Sequence, residues 1–204
     1  MRFLKNYPSI QQLANASIDD VLKLWEGLGY YSRARNLHKA AQMIVHDYDG
    51  EFPDTVEGLL KLSGVGRYTA GAIASIAFGV SASVLDGNVI RVFTRLLDMD
   101  DDVTRTDTKN ALWKIADDWV PAEQAGDYNQ ALMELGQHIC RPKNPDCSRC
   151  PINEYCLAFA NGTQSERPVK KKKPPTPHFD VTAGLIRDAN ERLLIAQRPM
   201  DGLL

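Results

Sequence analysis

An all-α body followed by a short β-patterned tail is the architecture this sequence predicts, and three observations predict it. Apolar residues recur at helical spacing through most of residues 1–160. A glycine-rich turn, Ser63-Gly64-Val65-Gly66, separates two such segments. Beyond a polar, proline-rich stretch the apolar period changes to two.

The elements follow in order. Ser17-Ile18-Asp19-Asp20 reads as a capped start for a helix carrying Val21, Leu22, Leu24 and Trp25, closed by Gly27-Leu28-Gly29. Tyr30 and Tyr31 open a longer helix with Ala34, Leu37, Ala41 and Ile44 on its apolar stripe. Pro53-Asp54-Thr55 begins a short helix through Leu59, Leu60 and Leu62, which leads into the glycine turn. From Gly71 to Leu85 the run is apolar but broken by Gly and Ser and short for a bilayer, so it predicts a buried helix and then a turn. Further helices are predicted over Val89–Leu97, Thr108–Val120 and Tyr128–Ile139, all around one contiguous core.

After Asn161-Gly162 the composition shifts. Thr163–Pro177, with Lys170 to Lys173 in a row, predicts an extended, self-repelling linker. Phe179–Ile186 and Leu193–Ala196 predict two strands around the turn Asp188-Ala189-Asn190-Glu191. A lone hairpin is marginal in water, so residues 178–204 read as the opening of a second domain.

A formal net charge of −2 does not announce a nucleic-acid binder, so any basic surface must be local. MRFLKNYPSI has no apolar core of a secretory signal, and no stretch is long enough to cross a membrane. An intracellular, monomeric protein is expected. All the cysteines fall in one loop, Cys140-x6-Cys147-x2-Cys150-x5-Cys156. In a reducing compartment four thiolates this dense point to metal, either tetrahedral zinc or an iron–sulfur cluster. Arg141, Lys143 and Arg149 add positive charge that could meet a phosphate backbone.

Gly64 and Gly66 can hold a hairpin open to a ligand, and the helix from Arg67 offers its unpaired N–H groups to a phosphate. Asp86, in Leu85-Asp86-Gly87-Asn88, then sits just ahead of another helix. Helix-Gly-x-Gly-helix is often only a packing hairpin, and Asp-Gly-Asn often only an N-cap. Together they suit chemistry on a nucleic-acid strand.

These residues resemble the helix-hairpin-helix DNA glycosylases of the endonuclease III superfamily. Leu62-Ser63-Gly64-Val65-Gly66 is similar to the hairpin, Leu85-Asp86-Gly87-Asn88-Val89 to the segment bearing the catalytic aspartate, and the cysteine spacing to the [4Fe-4S] signature. The resemblance moves the choice from zinc to iron–sulfur. Tyr68 stands where lyases of the superfamily carry a Schiff-base lysine, and a phenol cannot form an imine, which implies a monofunctional enzyme. Trp25 to Leu37 and the tail at Ala196-Gln197-Arg198-Pro199 resemble the adenine DNA glycosylases, the tail matching the start of their Nudix-like domain.

The resemblance implies base-excision repair of adenine opposite 8-oxoguanine or guanine in duplex DNA. Asp86 would steady the cationic sugar, with Asn88 and Tyr68 positioning it or the water. Gly64, Val65, Gly66 and Arg67 would grip the strand. Leu28 and Tyr30 would lie at the duplex, Tyr30 wedged beside 8-oxoguanine, with Arg33 and Arg35 at phosphates. The family's proton-donating glutamate and its gap-filling glutamine lie ahead of the stretch matched by Phe3-Leu4 and Tyr7-Pro8, so these residues alone are expected to form a poor or inactive glycosylase. A thymine or oxidised-pyrimidine glycosylase and a non-catalytic iron–sulfur DNA-binding module are the rival readings.

Overall fold

The computed structural model describes residues 2–171, 177–180 and 184–195. They divide into two units, Met1–Lys171 and Lys172–Leu204. The first is helical: α1 (Arg2–Asn6), α2 (Ile10–Ala14), α3 (Ile18–Leu24), α4 (Tyr31–Asp47), α5 (Val56–Leu59), α6 (Arg67–Phe78), α7 (Gly87–Leu96), α8 (Thr106–Trp119), α9 (Ala125–Glu134) and α10 (Leu157–Asn161). Among the described residues no helix is long and apolar enough to cross a membrane.

Local chemistry explains the starts. Ser9, Ser17 and Thr55 each stand in extended backbone and accept a hydrogen bond from an amide three residues on, capping α2, α3 and α5. Gly79, at φ +68°, ends α6 in the left-handed conformation.

Instead of one contiguous core, the buried apolar residues form three clusters. One joins Val84, Leu85, Val89, Val92, Phe93, Val103, Leu112 and Ala116, binding α7 to α8. A second joins α4, α5 and α6 through Ala40, Ile44, Leu59, Leu62, Ala70, Ala74 and Ala82. The third packs α2 and α3 on α4. Each fully buried large side chain contributes about 1.5–3 kcal/mol. Along α6 the buried residues are Ala70, Gly71, Ala74 and Ser75, small side chains that let neighbouring backbone come close.

Three differences from expectation stand out. The predicted helix Tyr128–Ile139 begins at Ala125 and changes to a π-turn over Leu135–Ile139 before Cys140. The predicted linker is not extended along its whole length: Thr163 and Arg167 both bind the Asp98 carboxylate, and the Val103 amide donates to the Val169 carbonyl, so the compact unit runs to Lys171. In the second unit the turn at Asp188–Glu191 is present, and among the described residues the pairing beside it is one antiparallel bridge, Arg187 to Leu193. Residues 181–183 and 196 of those strands lie outside the described residues.

Candidate functional site

The turn between α5 and α6 is set by Gly64, at φ +75°, where an added Cβ would stand 2.5 Å from Asn36 Cβ. Asn36 of α4 also accepts from Ser63 Oγ at 3.1 Å, so the start of α4, with Arg33 and Arg35, lies against the turn. The Val65 amide is taken by the Leu62 carbonyl. Gly66 caps α6 with no side chain and open space around it. The first-turn amides of α6 have no intrahelical partner and carry the positive end of the dipole, a grip for an anion.

Asp86 caps α7. Its Oδ1 accepts from the Asn88 and Val89 amides, both at 2.8 Å, and its Oδ2 from Asn88 Nδ2 at 2.9 Å. One oxygen thus serves the fold, while the other keeps acceptor capacity for a second partner. Capping and chemistry are compatible here. Tyr68 stands close enough to feel the Asp86 charge; burial first, and that charge second, push its phenol pKa up. Its hydroxyl donates to Met133 Sδ at 3.4 Å. The structure thus bonds Asp86 to Asn88 and leaves Tyr68 near enough to feel the Asp86 charge, with its hydroxyl on Met133.

Behind them lies a residue that sequence reasoning missed. Arg91 is buried, and its guanidinium donates to Asn88 Oδ1 at 2.8 Å, Gly136 O at 2.6 Å, Cys140 O at 2.7 Å and Gly87 O at 3.3 Å. Burial lowers its pKa, with the nearby Arg95 adding to the effect and the Cys140 and Asp86 charges opposing it. Gly136 lets the π-turn approach: a Cβ there would sit 2.6 Å from Asn88 Cβ. Arg91 thus joins the Asp86–Asn88 pair to the start of the cysteine loop. Two cations at Arg91 and Arg95 amid Val89, Val92 and Phe93 were the available signal, being out of place on an apolar helix face.

Cys140, Cys147, Cys150 and Cys156 line one small cavity with Ile139, Pro145 and Phe159. None is in a disulfide. Burial and the neighbouring thiolates push the Cys147 and Cys150 thiols up, a repulsion that a bound cationic group relieves. Arg95 donates to Cys140 Sγ at 3.3 Å, and Gln164 Oε1 is buried beside the cavity without a hydrogen-bond partner. Among the described residues no three His, Cys, Asp or Glu side chains are arranged to hold a single metal ion. The four thiols line one space, a donor set that fits a group held by four thiolates. Of the loop cations, Arg141 bonds to the Asn144 carbonyl and the exposed Arg149 pairs with Asp146.

At the start of α4, Leu28 is 60% and Tyr30 79% exposed. Tyr30 takes φ +48°, uncommon for an aromatic residue, and Trp25 Nε1 pins the preceding turn by donating to Gly29 O at 3.0 Å. Arg33 lies over the Tyr30 and Trp25 rings at 5.3 and 5.9 Å, and Arg35 is exposed. An apolar, aromatic prominence flanked by cations is a surface for stacked bases and phosphates. Arg67, expected at a phosphate, instead bonds to Asp117 at 2.7 Å and stacks on Trp113 at 3.9 Å.

Four thiols lining one cavity are a donor set that fits an iron–sulfur cluster, and the open N-terminus of α6 is a place an anion could be held. The chain belongs to the HhH-GPD superfamily of base excision DNA repair proteins, whose model matches residues 1–118. Residues 140–156 match the iron–sulfur binding domain of endonuclease III, so the cofactor is a [4Fe-4S] cluster and the four cysteines are the thiolates that fit it. The chain is 47% identical over 159 residues to the adenine DNA glycosylase of Mus musculus, covering 78% of this chain and 31% of the relative. With the adenine DNA glycosylase of Homo sapiens it is 37% identical over 247 aligned positions, covering 99% of this chain and 45% of the relative. The chain thus spans less than half the length of either.

Two solved structures share the fold. A thermostable thymine-DNA glycosylase superposes with a TM-score of 0.70 at 28% identity, covering 78% of this chain and 73% of that one. Endonuclease III in a non-covalent complex with DNA superposes with a TM-score of 0.65 at 30% identity, covering 80% and 75%.

Proposed function

We propose that these residues form the strand-gripping and sugar-stabilising part of a monofunctional adenine DNA glycosylase acting on adenine opposite 8-oxoguanine or guanine. The observation that carries the reading is Asp86, held by three hydrogen bonds beside Tyr68 and near the hairpin, with Oδ2 able to accept further. Breaking an N-glycosidic bond builds positive charge on the sugar, which a fixed carboxylate in a dry site stabilises. Asn88 holds Oδ2 in place and is itself held by Arg91. Tyr68 supports no imine, so water is the nucleophile.

The Gly64 and Gly66 amides and the first-turn amides of α6 grip the strand, while the Val65 amide is held by the Leu62 carbonyl and shapes the turn. Leu28 and Tyr30 enter the duplex beside the opposing base, and Arg33 and Arg35 take phosphates. The bound cluster supplies a rigid anchor for the loop on Cys140, Cys147, Cys150 and Cys156. Residues 178–204 are read as Nudix-like from the sequence Ala196-Gln197-Arg198-Pro199 alone. Unpaired cysteines fit an intracellular setting.

Direct competition tests the reading. The chain should prefer a duplex containing adenine:8-oxoguanine over one containing thymine:guanine, and both over a matched duplex. Equal affinity for all three would leave a non-specific DNA-binding module, and preference for thymine:guanine would favour a thymine glycosylase, the class of one structural neighbour.

A further inference from the structure

The helix that opens the hairpin begins with a charge of the wrong sign. Arg67 is the first residue of α6, which has no acidic residue in its first turn and no side-chain cap. A cation there opposes the helix dipole and competes with any anion for the same end. The structure resolves this from outside the helix. Asp117, on α8, takes Arg67 Nη2 at 2.7 Å on one carboxylate oxygen and Ser83 Oγ at 2.6 Å on the other, while Trp113, one turn earlier on α8, stacks under the guanidinium at 3.9 Å. Ser83 belongs to the extended segment that delivers Asp86. One carboxylate therefore links the start of the hairpin helix to the stretch that ends at Asp86.

We propose that Arg67, Trp113 and Asp117 form a positioning clamp that fixes the hairpin helix against the Ser83–Asp86 segment, and that Arg67 is not a phosphate ligand. The inference rests on the DNA-binding reading above. It adds which charges count the DNA backbone and which set the spacing between the grip and Asp86. The pair is half exposed on both sides, so its loss should leave the fold intact and cost about two- to fivefold in affinity.

Salt dependence separates the roles. A phosphate ligand releases a counterion, so removing it lowers the slope of log affinity against log salt by about one. A clamp leaves the slope unchanged. For Arg67→Met, Asp117→Asn and the double variant we expect the wild-type slope, similar losses in affinity and no added loss in the double. In a chain of the relatives' full length, the single-turnover excision rate should fall further than affinity does, because Asp86 loses its register. A role in stability alone would lower the melting temperature while leaving rate and slope as they were, and would overturn the proposal. So would a slope lowered by Arg67→Met, or tighter binding by Asp117→Asn, which would mean that Asp117 merely withholds Arg67 from the strand. If the wild-type chain shows no salt-dependent binding to DNA, it is the functional reading that fails.

Discussion

Arg91→Met is the substitution whose cost the structure prescribes most fully. Methionine keeps most of the aliphatic stem but removes every donor. Three acceptors lose the guanidinium, Asn88 Oδ1, Gly136 O and Cys140 O, while Gly87 O keeps its helical bond from the residue-91 amide. A buried acceptor left unpaired costs about 1–3 kcal/mol, and these are not additive because the backbone relaxes around them. Removing one partner from a buried charged network costs about 3–5 kcal/mol in total, and that is the expected loss. Set against the about 5–15 kcal/mol that holds a domain together, this is a large share. At about 2–4 °C per kcal/mol for a chain of this size, melting should fall by roughly 6–20 °C. Thermal denaturation followed together by circular dichroism and the cluster's visible absorption measures it. The two signals should fall together, because the same guanidinium holds the Cys140 carbonyl. A variant melting within about 2 °C of wild type with full absorption would refute the claim that Arg91 joins α7 to the cysteine loop.

Other expectations follow from the same contacts. Gly64→Ala places a Cβ at φ +75° and 2.5 Å from Asn36, so it should cost about 1–3 kcal/mol and weaken duplex binding, read by melting and by titration with DNA. Removing the cluster with a chelator and oxidant, or substituting Cys150→Ser, should abolish the visible absorption and raise hydrogen exchange in α10 and residues 140–156, while α2 to α4, built around a separate core, stay protected. Hydrogen bonds from Thr163 and Asn161, and then Arg167, hold the Asp98 carboxyl below its ordinary range. The folded pKa is the depressed one, so the stabilisation is complete above the unfolded value of about 3.9 and is lost as pH falls through the folded one. Proteolysis of residues 161–171 should therefore rise in acid, and Asp98→Asn should flatten that dependence.

What could be read from the sequence was local. Ser17 and Thr55 announce their helices because a cap lies within one turn of its amides, and the cysteine spacing shows because four ligands share one short loop. Gly64 was legible as a turn, although its contact with Asn36 was not. Short helices such as α1, α2 and α10 escaped because five residues hold too little periodicity; tertiary packing forms them. The ties behind the site escaped for a different reason. Arg91 reaches Gly136 and Cys140, and Arg67 reaches Asp117, across separations that no window along the chain spans. Asp86 was readable both as a cap and as a catalytic group, and the structure has it serve as the cap through Oδ1 while Oδ2 takes Asn88 Nδ2 and keeps room for a further partner.

Asp86→Asn removes the carboxylate's charge while keeping its shape. Asparagine caps helices about as well as aspartate, so α7 and the duplex-binding surface should persist. In a chain of the relatives' full length, single-turnover excision from an adenine:8-oxoguanine duplex should fall by about 10²–10³-fold or more, while affinity stays within about threefold. Excision within about tenfold of wild type, with the variant folded and bound, would contradict the assignment of sugar stabilisation to Asp86.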